Sequence, residues 1–515
     1  MDPVARHPFA PDASFDGGDL DCGGGLLLLI RRHMDPLPRG GLLEIRSTET
    51  SVDQDLPAWC RMTGNELVSW TREGASRSFL VSKGRLAERQ GAPPGAPSVS
   101  GAPAGTPRLV AGHRVVPVTV PSSLPPPAPA PEIPALAVMG IGSWPRPRWM
   151  LQTLHERLEG RLAEEEFQAT ADDAVRLAVD AQIRAGVDVI SDGEQRRDNY
   201  ASFIGARLDN CQLIPLTDLL PLVDDPDEFE REMQSLDVPA SQVRHPAVLG
   251  PLGRSRPLAG HEHEFLRTLT DRPAKVALPG PYLMTRLMWL PCVSDRVYRS
   301  REHLAEDVVR VLREELHFLL AAGVALVQLD EPVLSEVVFT GPRNTRSFMC
   351  GALSEKGDAA KELDFARTLL GRVLEGLPRR RLALHVCRGN WTPDERAALA
   401  GDYRPLLPLL ADVPVGTLFL ELATPRAGEI EVLRDLPREC RIGVGVVNQK
   451  HERIEPEEEI AARARRAIAL FGAERVLLTP DCGFATFADN PVASARVAEA
   501  KLRAVAAAAE RLRRE

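Results

Sequence analysis

The sequence predicts a (β/α)₈ barrel preceded by a small separate module. Three observations carry that expectation. One unit recurs along the chain: an amphipathic helix, a Gly or Pro break, and a short β-branched strand. Eight such strands can be counted between Met139 and Thr479. A Pro- and Gly-rich stretch over residues 86–134 leaves about 70 ordered residues before it and about 380 after it, and the latter length suits a barrel with insertions. An open doubly wound sheet would more often show a Gly-rich dinucleotide turn early in the run. The boundaries expected are a disordered tail over 1–15, a small domain over 16–85, an extended linker over 86–134 and the barrel over 135–515.

Each element follows from local signals. Thr170 to Ala185 is a helix with Asp172 and Asp173 in its first turn, Gly186 stops it, and Val187 to Ser191 is the next strand. Helix Glu302 to Ala322 runs through Gly323 into strand Ala325 to Leu329. Helix Lys361 to Leu377 precedes strand Leu382 to Val386, and helix Glu457 to Phe471 precedes strand Val476 to Thr479. The remaining strands are Met139 to Gly142, Lys275 to Leu278, Thr417 to Leu420 and Ile442 to Val447. Cys211 to Glu264, rich in Asp, Pro and Arg and weakly periodic, reads as a long excursion after the second strand.

Composition narrows the function classes. Hydrophobic residues at 44% and charged residues at 26% are ordinary for a globular chain of 515 residues. Lys and Arg number 63 against 72 Asp and Glu, a net charge of −9, and no basic run is interleaved with aromatics, so nucleic acid is not an expected partner. Apolar runs such as Leu26 to Ile30 fall far below the ~18 residues that span a bilayer. Asp2, Pro3, Pro8 and Pro11 stand where a signal peptide needs an apolar core, so no membrane and a cytoplasmic location are expected. The eight cysteines lack regular spacing and make no disulfide framework.

Reactive groups of such barrels sit at the C-terminal ends of the strands. There the chain offers Ser143, Glu194, Asp330, His385 with Cys387, Glu421 and Cys482. His385 and Cys387 lie two apart, so on one strand they point the same way and can grip one ion. Glu421 and Cys482 complete a His-Cys-Glu-Cys set on the same rim. Sulfur and imidazole with one carboxylate suit Zn²⁺. The competing reading makes the cysteines small buried hydrophobes and His385 a hydrogen-bonded core residue. Glu194 and Asp330 read either as anchors for a substrate ammonium or as helix caps and partners of Arg196 or Arg197. Ser143 reads as a turn residue or as a hydroxyl that holds a carboxylate.

Taken in order, Met139-Gly140-Ile141-Gly142-Ser143-Trp144-Pro145-Arg146-Pro147, Asp192-Gly193-Glu194, Gln328-Leu329-Asp330-Glu331-Pro332, His385-Val386-Cys387 and Thr479-Pro480-Asp481-Cys482-Gly483 resemble the catalytic C-terminal barrel of cobalamin-independent methionine synthase, over about residues 135–510. The resemblance implies a zinc-dependent methyl transfer to the thiol of homocysteine, a step of methionine biosynthesis. It implies zinc ligands at His385, Cys387, Glu421 and Cys482, an ammonium site at Glu194 and Asp330, and a carboxylate site at Ser143. Coordination lowers a thiol's pKa, so the substrate sulfur is itself the nucleophile.

Two departures concern the methyl donor. The additional N-terminal barrel of full-length members has no counterpart of that size here, and Asn448-Gln449-Lys450 with His451 stands where long members show Asp-X-His. Lys450 reads as a contact to an anionic donor or as a solvated loop charge. Methyltetrahydrofolate, a methylcorrinoid and other donors stay open, as does a donor or sulfur-relay protein. Another small thiol as acceptor, and a non-catalytic sulfur-handling adaptor, are the rival readings.

The N-terminal module is similar to small sulfur-carrier proteins of the TusA type, a two-layer α/β sandwich. The order that carries this is Asp19-Leu20-Asp21-Cys22-Gly23 before an apolar helix from Leu26, strand Gly40 to Ile45, helix Asp55 to Cys60, and Gly64-Asn65-Glu66-Leu67 leading to the next strand. Cys22 falls where those carriers bear their persulfide, but Gly23-Gly24-Gly25 follows it in place of proline. Cys60 is expected in the core.

Overall fold

The computed structural model describes residues 3–21, 25–89, 112–215, 244–290, 294–339, 358–390, 393, 395, 398–488 and 491–515. It divides into an N-terminal unit and a larger one. The N-terminal unit holds β1 (Ala13–Asp16), α1 (Leu27–Met34), β2 (Leu42–Ser47), α2 (Val52–Thr63), β3 (Glu66–Glu73) and β4 (Ser76–Ser82), in a mixed sheet of order β1-β2-β4-β3. Alternation in β2 turns Leu43 and Ile45 onto Ile30, Leu56 and Trp59 of the two helices, while Arg46 faces out. Gly64 ends α2 in the left-handed region (φ 72°), and the Cys60 carbonyl accepts the Gly64 amide as the helix stops. Cys60 is buried, and Cys22 lies outside the described residues.

The expectation of a tail over 1–15 is corrected. Ala13–Asp16 pairs in parallel with β2, Phe15 packs on the small core, and His7 joins Ser69 Oγ at 2.8 Å and Ser78 Oγ at 2.9 Å. The prolines before residue 12 mask a four-residue alternation that is enough for an edge strand. The linker is also shorter than expected. Residues 112–134 run extended within the larger unit: Val118 N donates to Ser255 O at 2.8 Å, Ala128 N to Leu320 O at 3.1 Å, and Arg381 reaches Ala128 O at 2.5 Å. Proline removes donors but leaves carbonyls, and arginines of the larger unit supply the missing N–H groups.

Further along the chain, β5 (Asp209–Pro215) and β6 (Arg244–Gly253) form a two-stranded sheet within the expected excursion. β7 (Lys275–Pro279), β8 (Leu326–Asp330), β9 (Leu382–Val386), β10 (Thr417–Leu420), β11 (Arg441–Val447) and β12 (Val476–Pro480) form a parallel sheet in chain order. Isolated parallel bridges continue the pairing from Leu478 to Val138, from Met139 to Val189, and from Ile190 to Ala274 beside β7. The pairing thus returns to its start, consistent with the barrel, and the first two strands enter it as bridges. Helices Glu164–Arg184, Arg301–Ala321, Ala359–Leu374 and Glu457–Phe471 precede strands as the periodicity predicts. No helix among the described residues is long and apolar enough to cross a membrane.

Met139, Val189, Leu326, Ala383, Phe419 and Leu477 meet in one buried interior cluster. Because a strand repeats every two residues, Gln328 and Asp330 stand above Leu326, His385 and Cys387 above Ala383, and Glu421 above Phe419.

Candidate functional site

These columns end at a cavity of about 40 Å³ lined by Ser143, Glu194, Asp330, His385, Cys387 and Cys482, together with Tyr200, Asn390 and Thr486. His385, Cys387 and Cys482 each offer a ligand atom within 4.8 Å of the others, and all three are buried. Asp330 and His385 are register partners on β8 and β9, and Asp330 Oδ1 accepts from His385 Nδ1 at 2.8 Å. That leaves His385 Nε2 buried with no hydrogen-bond partner. A buried imidazole nitrogen and two thiols facing one another form a donor set that fits Zn²⁺ and leaves its fourth position open. Burial disfavours the imidazolium, but the Asp330 hydrogen bond carries His385 above its ordinary value. The hydrogen bond from Cys482 pulls Cys387 down to about 6, and the same contact pushes Cys482 up.

Glu421 stands apart from this group. Asn390 Nδ2 donates to its Oε2 at 2.6 Å, and Arg426 Nη2 lies 2.6 Å from its Oε1. Burial and the nearby Asp481 push its carboxyl up to about 8. Neither Asn390 nor Arg426 was singled out by spacing; the only signal in the chain is an Asn three residues after Cys387 and an Arg five after Glu421.

Glu194 sits on a strained turn. Gly193 (φ 72°) and Glu194 (φ 55°) are both left-handed, and for Glu194 that costs of order 1 kcal/mol or more. Asp192 Oδ1 accepts the Glu194 amide at 2.9 Å, and Arg146 Nη2 donates to Glu194 O and Arg197 O at 2.6 Å each. The turn aims the carboxylate past Gly142, where any Cβ would strike it. The basic partners considered for Glu194 are committed elsewhere. Arg196 binds Asp172 and Gln168, and Arg197 grips Glu262 at 2.6 and 3.1 Å, leaving Arg197 Nη1 at 3.8 Å from Glu194. Burial pushes Glu194 up to about 7 against the pull of Arg197. Ser143 Oγ accepts from Ala485 N at 3.3 Å, next to Gly483, whose lack of a Cβ makes room for the hydroxyl. Lys450 is buried at 3% exposure, so the solvated-charge reading is corrected, whereas His451 is exposed and pairs with Glu395 at 3.0 Å.

Residues 136–357 and 383–510 match the family described as cobalamin-independent synthase, catalytic domain. The chain belongs to that family. Among its relatives, the methionine synthase of Saccharolobus solfataricus is 24% identical over 354 residues, covering 68% of this chain and 89% of that protein. The methionine synthase of Sulfurisphaera tokodaii is 26% identical over 353 residues, covering 68% and 87%. Among solved structures, a B12-independent methionine synthase from Shewanella sp. W3-18-1 in complex with selenomethionine is 26% identical with a TM-score of 0.56, covering 74% of this chain and 98% of that one. The synthase match spans the larger unit, and a sulfur-carrier relationship of the N-terminal unit is not among these findings.

Proposed function

We propose that this chain is a zinc-dependent thiol methyltransferase that converts homocysteine to methionine. The observation that carries the reading is the His385, Cys387 and Cys482 set, with its unpartnered His385 Nε2, opening on the cavity that Ser143, Glu194 and Asp330 line. Zinc held there would lower the pKa of an incoming thiol, so that a sulfur–methyl bond forms as the donor–methyl bond breaks and the thiol proton leaves to solvent. Glu194 and Asp330 would hold the amino group of the acceptor, and Ser143 with the backbone of residues 483–485 its carboxylate. Glu421, released from Arg426, would complete the ligand set when no thiol is present. The selenomethionine in the Shewanella relative, a close analogue of the product, supports an amino-acid acceptor. A fourth position exchanged between Glu421 and an incoming thiol would favour catalysis over the closed site of a structural zinc or an adaptor. The order of elements in the N-terminal unit supports a sulfur-carrier-type module in which Cys22 would carry the sulfur.

The test is calorimetric titration of homocysteine into zinc-loaded protein in two buffers of different ionisation enthalpy. Binding with about one proton released is the expected result. A chain that takes up zinc but binds no homocysteine would reject this acceptor and turn attention to other small thiols.

A further inference from the structure

We infer that Lys275 is a positioning residue that acts through Gln328 and Asp330 to orient the His385 imidazole, while pinning the strand that presents Ser143. The inference rests on the zinc reading above. Lys275 lies at the foot of β7, 2% exposed, with its Nζ 4.7 Å from the centre of the Phe419 ring. Nζ donates to Gly140 O at 2.5 Å, to Ile141 O at 2.6 Å and to Gln328 Oε1 at 2.7 Å. Three acceptors match the three donors that only the ammonium form possesses. A charge in an apolar barrel interior is costly unless it is fully hydrogen-bonded and faces opposite charge. Here the facing carboxylates are Asp330 and Glu194, the two that line the cavity, and they oppose the burial that lowers Lys275 to about 7.

With Lys275 as an ammonium, which can only donate, the connection runs in one sense from Lys275 to His385. Lys275 occupies the Gln328 carbonyl, so the Gln328 amide must point its N–H₂ the other way, and Nε2 donates to Asp330 Oδ1 at 2.7 Å. The same oxygen accepts from His385 Nδ1 at 2.8 Å. A cation at one end therefore sets the amide, the carboxylate and the tautomer in turn, and it is Nε2 of His385 that is left for a metal. The other two hydrogen bonds fix the backbone immediately before Gly142 and Ser143. One side chain thus ties the carboxylate side of the cavity to its metal side.

The experiment compares the full chain with Gln328→Leu and Lys275→Met. Zinc affinity is read by competition with a chromophoric chelator, ligand geometry by the visible absorption of the cobalt(II)-loaded protein, and folding by circular dichroism. Both variants are expected to lose about tenfold or more in zinc affinity and to shift the cobalt bands, as removal of an outer partner of a metal-bound histidine does. Should Lys275→Met fail to fold, Gln328→Leu decides, because it leaves Lys275 its two backbone acceptors. Unchanged affinity and an unchanged cobalt spectrum in folded Gln328→Leu would overturn the inference and leave the zinc reading standing. An unsubstituted chain that takes up no zinc overturns both.

Discussion

Asp330 and His385 face each other across adjacent parallel strands, and the carboxylate of one accepts the Nδ1 hydrogen of the other at 2.8 Å. Asp330 therefore belongs to two tasks, orienting the histidine and lining the acceptor cavity. Asp330→Asn is expected to weaken zinc binding about tenfold to a hundredfold and acceptor binding along with it. Glu194→Gln, which lies outside the His385, Cys387 and Cys482 set, should weaken homocysteine binding and leave zinc in place. Metal analysis and calorimetry on the two variants check this, and equal zinc loss in both would contradict the division of labour.

Acceptor binding should depend on pH through Glu194. Burial raises that carboxyl to about 7, so below neutrality it is protonated and offers no charge to an ammonium. Affinity is expected to rise between pH 6 and pH 8, by up to about tenfold per unit where the group titrates. Proton release from the acceptor thiol adds its own rise of about tenfold per unit, which Glu194→Gln keeps, so the variant should lack only the steeper part below pH 7.

Gly142→Ala should act on the acceptor alone. The residue has an ordinary backbone, and its added methyl would meet the Glu194 carboxylate. Homocysteine affinity is expected to fall about tenfold, the effect of a small misplacement at a preorganised site, while the thermal midpoint moves little. A midpoint lowered by more than about 2 °C, on the order of 1–2 kcal/mol for a unit of this size, would instead indicate a damaged barrel.

Most of this site was legible because a strand has a period of two and a barrel gathers its strand ends on one face. That is why Ser143, Glu194, Asp330, His385, Cys387 and Cys482 could be named together from the chain and stand around one cavity. What stayed hidden depends on partners that spacing does not encode. Glu421 shares the rim, yet its carboxylate is engaged by Asn390 and Arg426 from neighbouring loops. Lys450 reads as a loop charge because no local pattern marks a buried lysine. Lys275 is named only as the start of its strand, and nothing beside it in the chain marks the parity with Ala277 on β7 that turns it inward. The edge strand Ala13–Asp16 was lost behind prolines that end just before it.

Glu331 offers a stability test away from substrate. Its carboxylate accepts the amides of Tyr282 at 2.8 Å and Leu283 at 2.9 Å, and burial raises it to about 8. A carboxyl raised in the folded state contributes fully below its unfolded value near 4.5, and that contribution is lost as pH rises through 8. Denaturant unfolding should show the native chain losing stability relative to Glu331→Gln between pH 5 and pH 8, by at most about 1.4 kcal/mol per unit. A difference that stays flat across that range would contradict the buried-acid reading.

The two ways in which the strands are joined give the barrel an uneven stiffness. From β7 to β12 neighbouring strands are bound by ladders of four or five residue pairs, with one register shift between β11 and β12, and Asp330, His385 and Glu421 ride on or just beyond that half. Val138, Met139, Val189 and Ile190 meet their neighbours in isolated bridges with a few further backbone hydrogen bonds, and Ser143 and Glu194 ride on those segments. Local opening follows the weaker backbone pairing. An incoming amino-acid thiol would therefore offer its sulfur to strands held by sheet pairing and its amino and carboxylate groups to segments held in place by side chains such as Lys275 and Arg146.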